Sequence, residues 1–64
     1  MVDTIKLRKI MKAQGYRDDD LAVAIGLTPN EFAKRMSKSV FGTDEIEKMI
    51  DILQIEDPET IFFK

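Results

Sequence analysis

The sequence contains 64 residues, of which 44% are hydrophobic and 34% are charged. It has no cysteine and therefore no disulfide framework, and without cysteine or histidine we do not expect a structural zinc site. The lack of cysteine is consistent with a cytoplasmic protein. No apolar run approaches the ~20 residues of a membrane-spanning helix. At this length we expect one small domain, residues 1–64, whose core consists of apolar side chains alone.

The net charge of −2 is distributed unevenly along the chain. Residues 1–42 carry eight Lys and Arg against five Asp and Glu, a net of +3, whereas residues 43–64 carry two against seven, a net of −5. The overall charge argues against a strongly basic nucleic-acid binder. Its distribution, however, gathers the positive charge in the first part of the chain and favours an anionic partner there.

A first helix is predicted over residues 4–14, because Leu7, Ile10 and Met11 recur at helical spacing. Gly15 follows at the position where a glycine commonly ends a helix in the left-handed conformation. Such an amphipathic segment buries one side and leaves the other side to solvent.

Two short helices joined by a tight turn are predicted within residues 17–36. In the first of them Leu21, Ala22 and Ile25 share one face. Gly26 follows at once, and a positive φ at that position costs little only for glycine. The small side chain of Ala22 is expected to let the next helix pack closely against this one. The pattern is that of a helix-turn-helix.

The second helix of this pair has a complete set of start signals. Thr28 is expected to accept an unpaired backbone N–H, Pro29 suits the first helical position, and Glu31 completes a capping box. Phe32 and Met36, four residues apart, are expected to face the core.

The rest of the chain predicts two more helices. Phe41 is expected in the core, and Thr43 is expected to cap a fourth helix. The inward face of that helix follows the i, i+3, i+4, i+7 pattern, with Ile46, Met49, Ile50 and Leu53. Asp57 is expected to cap a last helix that runs to about Phe62, with Pro58 in its first turn. The prediction is an all-α fold of five short helices around one core.

The ordered residues from 21 to 36 are similar to the helix-turn-helix of the phage-repressor and Cro-like (XRE-type) family. The matching register is Leu21-Ala22-x-x-Ile25-Gly26-Leu27-Thr28-Pro29-x-x-Phe32-x-x-x-Met36. KLRKIMKAQGY resembles the first helix of the family and DEIEKMIDILQI its fourth, so the resemblance covers roughly residues 4–55. The final DPETIFF is similar to the ending of short, single-domain phage-type members.

The resemblance implies a sequence-specific regulator of transcription, in the cytoplasm of a bacterial host cell, that binds double-stranded operator DNA, often as a homodimer. The third helix would lie in the major groove with its first residues against base edges. Asn30 suits adenine and Lys34 suits guanine or a phosphate. Carried over by position, the DNA-contacting residues are Arg17, Thr28, Pro29, Asn30, Lys34, Ser37 and Lys38.

The start of the second helix departs from the family pattern. The family usually has threonine or serine and then glutamine there, whereas this chain has Arg17 and Asp18. Arg17 would replace the lost phosphate contact, but Asp18 would repel a phosphate if it faces the duplex. Either residue is a candidate N-cap of this helix. Asp18, Asp19 and Asp20 all suit the positive pole of a helix start.

An alternative function is a protein-interaction module on the same scaffold, such as an antirepressor or a modulator of another regulator. Phe62 and Phe63 are the candidate residues for a dimer or partner contact. Because one short helix cannot bury both phenylalanines on one side, we expect one of them in the core and the other available to a partner.

Catalysis, cofactors and small-molecule ligands have no support in the sequence. Acid–base chemistry would fall to Asp or Glu, and no paired carboxylates lie on an apolar face. The three glycines are scattered, so no glycine-rich phosphate loop is present. Three consecutive aspartates point about 100° apart on a helix and therefore do not converge on one metal ion.

Overall fold

The computed structural model describes residues 1–63, and within that range it contains five α-helices and no strand. The helices are α1 (Thr4–Ala13), α2 (Asp18–Ala24), α3 (Pro29–Lys38), α4 (Thr43–Leu53) and α5 (Glu59–Phe62). This confirms the predicted all-α class and the number of helices. None of the described helices combines the length and apolar character needed to cross a membrane.

All five helices contribute apolar side chains to one core. Phe32 on α3 is fully buried, and its ring lies 5.6 Å from that of Phe41, measured between centroids, which confirms that both residues face inward. No polar or charged side chain of the described residues is buried. The fold therefore depends on apolar burial. The helical members of the core are Leu7, Met11, Leu21, Ala22, Phe32, Met36, Met49, Leu53, Ile61 and Phe62.

Helices α1 to α4 all end in a Schellman motif. In each, one residue after the helix has a positive φ, and the N–H of the following residue donates to a carbonyl five positions earlier. Glycine occupies the left-handed position after α1 and α2, as predicted for Gly15 and Gly26. Ser39 and Gln54 occupy it after α3 and α4, with φ of 58° and 51°.

We expect Gln54→Gly to raise the free energy of unfolding by up to about 1 kcal/mol, because a side chain at positive φ is strained and glycine is not. Urea denaturation followed by circular dichroism measures the change. Gly15→Ala is the opposite substitution, because it places a side chain at a positive φ. Nothing lies within 4 Å of the added methyl group, so we expect a loss of about 1 kcal/mol in the free energy of unfolding that comes from backbone strain and not from a clash. Equal stability of all three proteins would contradict this account.

Two helix starts differ from the prediction, and a third decides between two predicted alternatives. Of the two candidate caps of α2, Arg17 is the N-cap, whereas Gly42, not Thr43, is the N-cap of α4. At both starts an acid three residues later accepts the N-cap N–H, Asp20 at 3.2 Å and Glu45 at 2.9 Å, so a capping side chain is not required. The fifth helix begins one residue later than expected, because Pro58 and not Asp57 is its N-cap.

The two ends of the described chain meet. The Asp3 N–H donates to the Ile61 carbonyl at 2.6 Å, and the Val2 N–H donates to the Ser39 carbonyl at 2.9 Å. These bonds fasten the start of α1 to α5 and to the end of α3.

Candidate nucleic-acid interface

Helices α2 and α3 form the most extensive helix pair in the described part of the chain. The turn between them is tight because Gly26 has a φ of 83° and the Leu27 N–H donates to the Ala22 carbonyl at 2.8 Å. Ala22 is fully buried. Its small side chain allows the two short helices to approach closely, and α3 is thereby held with one face against the core and the other outward.

The outer face of α3 carries a polar stripe, here called the α3 stripe, which consists of Asn30, Lys34, Ser37 and Lys38. These four exposed residues recur at i, i+4, i+7 and i+8, which places them on the side of the helix opposite Phe32 and Met36. The structure thus brings four of the seven predicted DNA-contacting residues onto one surface. An amide, a hydroxyl and two ammonium groups there provide donors for bases and phosphates.

The other three predicted residues flank the stripe or lie apart from it. Thr28 and Pro29 are exposed at the start of α3, next to Asn30. Arg17 is exposed on a different element, the start of α2.

Thr28 and Glu31 form the predicted capping box. The Thr28 hydroxyl accepts the Glu31 N–H at 3.1 Å, and the Glu31 carboxylate accepts the Thr28 N–H at 3.0 Å. Capping therefore explains both side chains. The hydroxyl hydrogen of Thr28 still remains as a donor for an anion at the start of the helix.

The capping box predicts a dependence of stability on pH. The backbone and side-chain hydrogen bonds with Thr28 lower the pKa of the Glu31 carboxyl below its usual value of 4.5. A carboxyl whose pKa is lower in the folded state stabilises the fold above its usual pKa, and this contribution is lost as the pH falls through the lowered value. We expect Glu31→Gln to be less stable than the parent at neutral pH and to approach it in acid. Thermal unfolding across pH measures the difference, and a constant difference would contradict the linkage.

Arg35 lies on α3 but is not part of the α3 stripe, because its guanidinium makes two interactions inside the protein. Its guanidinium Nε lies 2.9 Å from the Glu45 carboxylate, and its Nη1 donates to the Glu31 carbonyl at 3.3 Å. Glu45 also accepts the N–H of Gly42, so one carboxylate joins the end of α3 to the start of α4. Sequence reasoning missed this pair, because two residues ten positions apart on different helices leave no periodic signal.

Asp18 is paired with a cation from α1. The Arg8 guanidinium Nη1 lies 3.0 and 2.9 Å from the two oxygens of the Asp18 carboxylate. The repulsion of phosphate expected from Asp18 is therefore reduced by a neighbouring positive charge, although about half of each side chain remains exposed to solvent. This contact also spans ten positions and was not predicted.

The two terminal phenylalanines differ in environment, as expected for the pair. Phe62 is only 3% exposed and belongs to the core, so its place among the dimer or partner candidates was wrong. A single-turn helix directs Ile61 and Phe62 inward together, since they are only about 100° apart. Phe63 follows the helix and is 65% exposed, which leaves it as the candidate of the two.

No family model, curated protein or solved structure matches this chain.

Proposed function

We propose that this protein is a sequence-specific, DNA-binding regulator of transcription of the phage-repressor or Cro-like type, which reads the major groove with α3. The observation that carries the proposal is the α3 stripe: an outward row of polar and basic side chains on the second helix of a tightly turned pair. A major groove about 12 Å wide accommodates one helix in this orientation.

Each residue of the stripe has a role that follows from its chemistry. The Asn30 amide pairs with adenine N6 and N7, and the Lys34 ammonium donates to guanine O6 and N7. Ser37 and Lys38, near the end of the helix, contact phosphates and set the register of the protein on the duplex. Thr28 and Arg17 add phosphate contacts beside the start of the helix.

The proposal includes a homodimer on a two-fold operator, where bound protein blocks RNA polymerase in the cytoplasm of a bacterial host. Met1, Ile5 and Phe63 are 80%, 70% and 65% exposed, and the hydrogen bond from Asp3 to Ile61 brings the two chain ends together. Such an apolar end suits an isologous contact, in which each copy presents the same surface.

A protein-interaction module remains the second candidate, and the same exposed end favours it. The two functions differ in their response to salt. Contacts with phosphates release counterions, so DNA affinity falls steeply as salt rises, whereas an apolar protein contact changes little.

The test is fluorescence anisotropy of a labelled duplex at about 50 mM and about 200 mM salt, with Lys34→Ala beside the parent protein. We expect affinity to fall at the higher salt and to fall again with the substitution. Selection of bound duplexes from a random pool then gives the operator. Absence of binding at the lower salt would exclude DNA as the partner and direct the search to proteins.

A further inference from the structure

Val40 differs from the residues at the equivalent position after the other helices. The residue whose N–H closes each Schellman motif is apolar after all four helices, namely Tyr16, Leu27, Val40 and Ile55. A hydrophobic contact between this residue and the last turn of the helix normally accompanies the motif. Tyr16, Leu27 and Ile55 are partly buried against the core, whereas Val40 is 59% exposed.

Val40 lines an open groove of about 380 Å³ between the end of α3 and the start of α4. Phe41 forms part of its wall and is itself held by its packing on Phe32. The remaining lining residues are Lys34, Arg35, Lys38 and Gly42. The groove thus combines an apolar wall, fixed by the core, with a basic rim.

The net charge of the groove comes from two lysines. Arg35 is paired with Glu45 at 2.9 Å, so its charge is largely compensated within the protein. Lys34 and Lys38 are exposed on the same rim, and because they lie four residues apart on one helix, their ammonium donors are neighbours.

We propose that this groove binds an acidic segment of a partner protein, with one large aliphatic side chain of the segment against Val40 and Phe41 and flanking carboxylates on Lys34 and Lys38. The apolar wall favours a peptide over a duplex, because the DNA backbone offers phosphates for the lysines but no projecting aliphatic side chain that would enter the groove and cover Val40. The inference does not depend on the proposed DNA binding. Where both hold, the segment and DNA compete, since they share the two lysines.

The probe is a fluorescein-labelled synthetic peptide in which one leucine is flanked on both sides by glutamates. Control peptides carry serine in place of the leucine or glutamine in place of the glutamates. Each is titrated by anisotropy against the parent protein, Val40→Ser and Lys38→Ala. Val40 is exposed, so its substitution leaves the core intact, and circular dichroism verifies the fold.

We expect Val40→Ser to weaken peptide binding at least fivefold, through loss of apolar burial, while its affinity for duplex DNA stays unchanged. Lys38→Ala and the glutamine peptide should also bind more weakly. Three results would overturn the proposal: no binding of the glutamate–leucine peptide at millimolar concentration, equal binding of the serine peptide, or an equal loss of DNA affinity in Val40→Ser. The last result would assign the groove to the DNA interface.

Discussion

Reversing the charges of Lys34 and Lys38 together, by Lys34→Glu and Lys38→Glu, is expected to lower DNA affinity by about 10²-fold or more at physiological salt. Two favourable contacts with the duplex are lost, and two carboxylates then face its phosphates. Both side chains are exposed, so the core is untouched. Anisotropy with a labelled duplex gives the affinity, and the slope of its logarithm against that of salt concentration should become less negative by about one unit, because Lys38 is the one of the two that contacts a phosphate.

The matched control reverses Lys9 and Lys12 on α1. It produces the same change in net charge, and Lys12 stands in the last turn of a ten-residue helix, as Lys38 does. The loss of interaction with the helix dipole is therefore similar in the two variants. A loss of affinity confined to the α3 variant would support α3 as the interface. Equal losses would mean that only the overall charge matters, and no loss in either would exclude the α3 stripe.

Replacing Phe32 with alanine is expected to leave little or no folded protein at room temperature. Truncation of a fully buried phenylalanine costs about 3–5 kcal/mol, and a domain of this size has about that much stability in total. Phe32 also supports the ring of Phe41 at 5.6 Å, so the loss extends into the connection between α3 and α4. Far-ultraviolet circular dichroism should show the loss of helix.

Val23→Ala serves as the control for this prediction. Val23 lies on α2 and is 70% exposed, so removal of its two methyl groups should change the free energy of unfolding by less than about 0.5 kcal/mol. A Phe32→Ala protein as stable as Val23→Ala would contradict the central position of Phe32 in the core.

The number, order and inward faces of the helices were predictable from local patterns. Leu7 with Met11 and Phe32 with Met36 recur every four residues, and Gly15 and Gly26 stand at left-handed positions that few other residues adopt. Helix starts were harder to predict, because an N-cap residue without a capping side chain is still held in place when an acid three residues later accepts its backbone N–H. Glu45 performs this function for α4, and the predicted cap Thr43 does not.

The candidate site was predictable in part, because local patterns define residues on one helix but not contacts between helices. The α3 stripe follows from helical spacing within α3, the helix that the resemblance indicates as the DNA-reading one. The pairs of Arg8 with Asp18 and of Arg35 with Glu45 connect different helices, and their formation depends on packing that a linear pattern does not encode. The exposure of Val40 is likewise a property of the assembled fold, since the three other residues at that position are partly buried.

The hydrogen bond between residues 3 and 61 has a kinetic consequence. It closes a loop of almost the whole chain, and loop closure of that length costs about 3–4 kcal/mol in entropy. A single-turn α5 has no stability of its own to offset this cost. We therefore expect the C-terminal turn to dock last in folding and to detach first, with its amides exchanging hydrogen before those of the other helices. Any partner that binds across Ile5 and Phe63 would stabilise the docked C-terminal turn, so association and the last step of folding would be coupled.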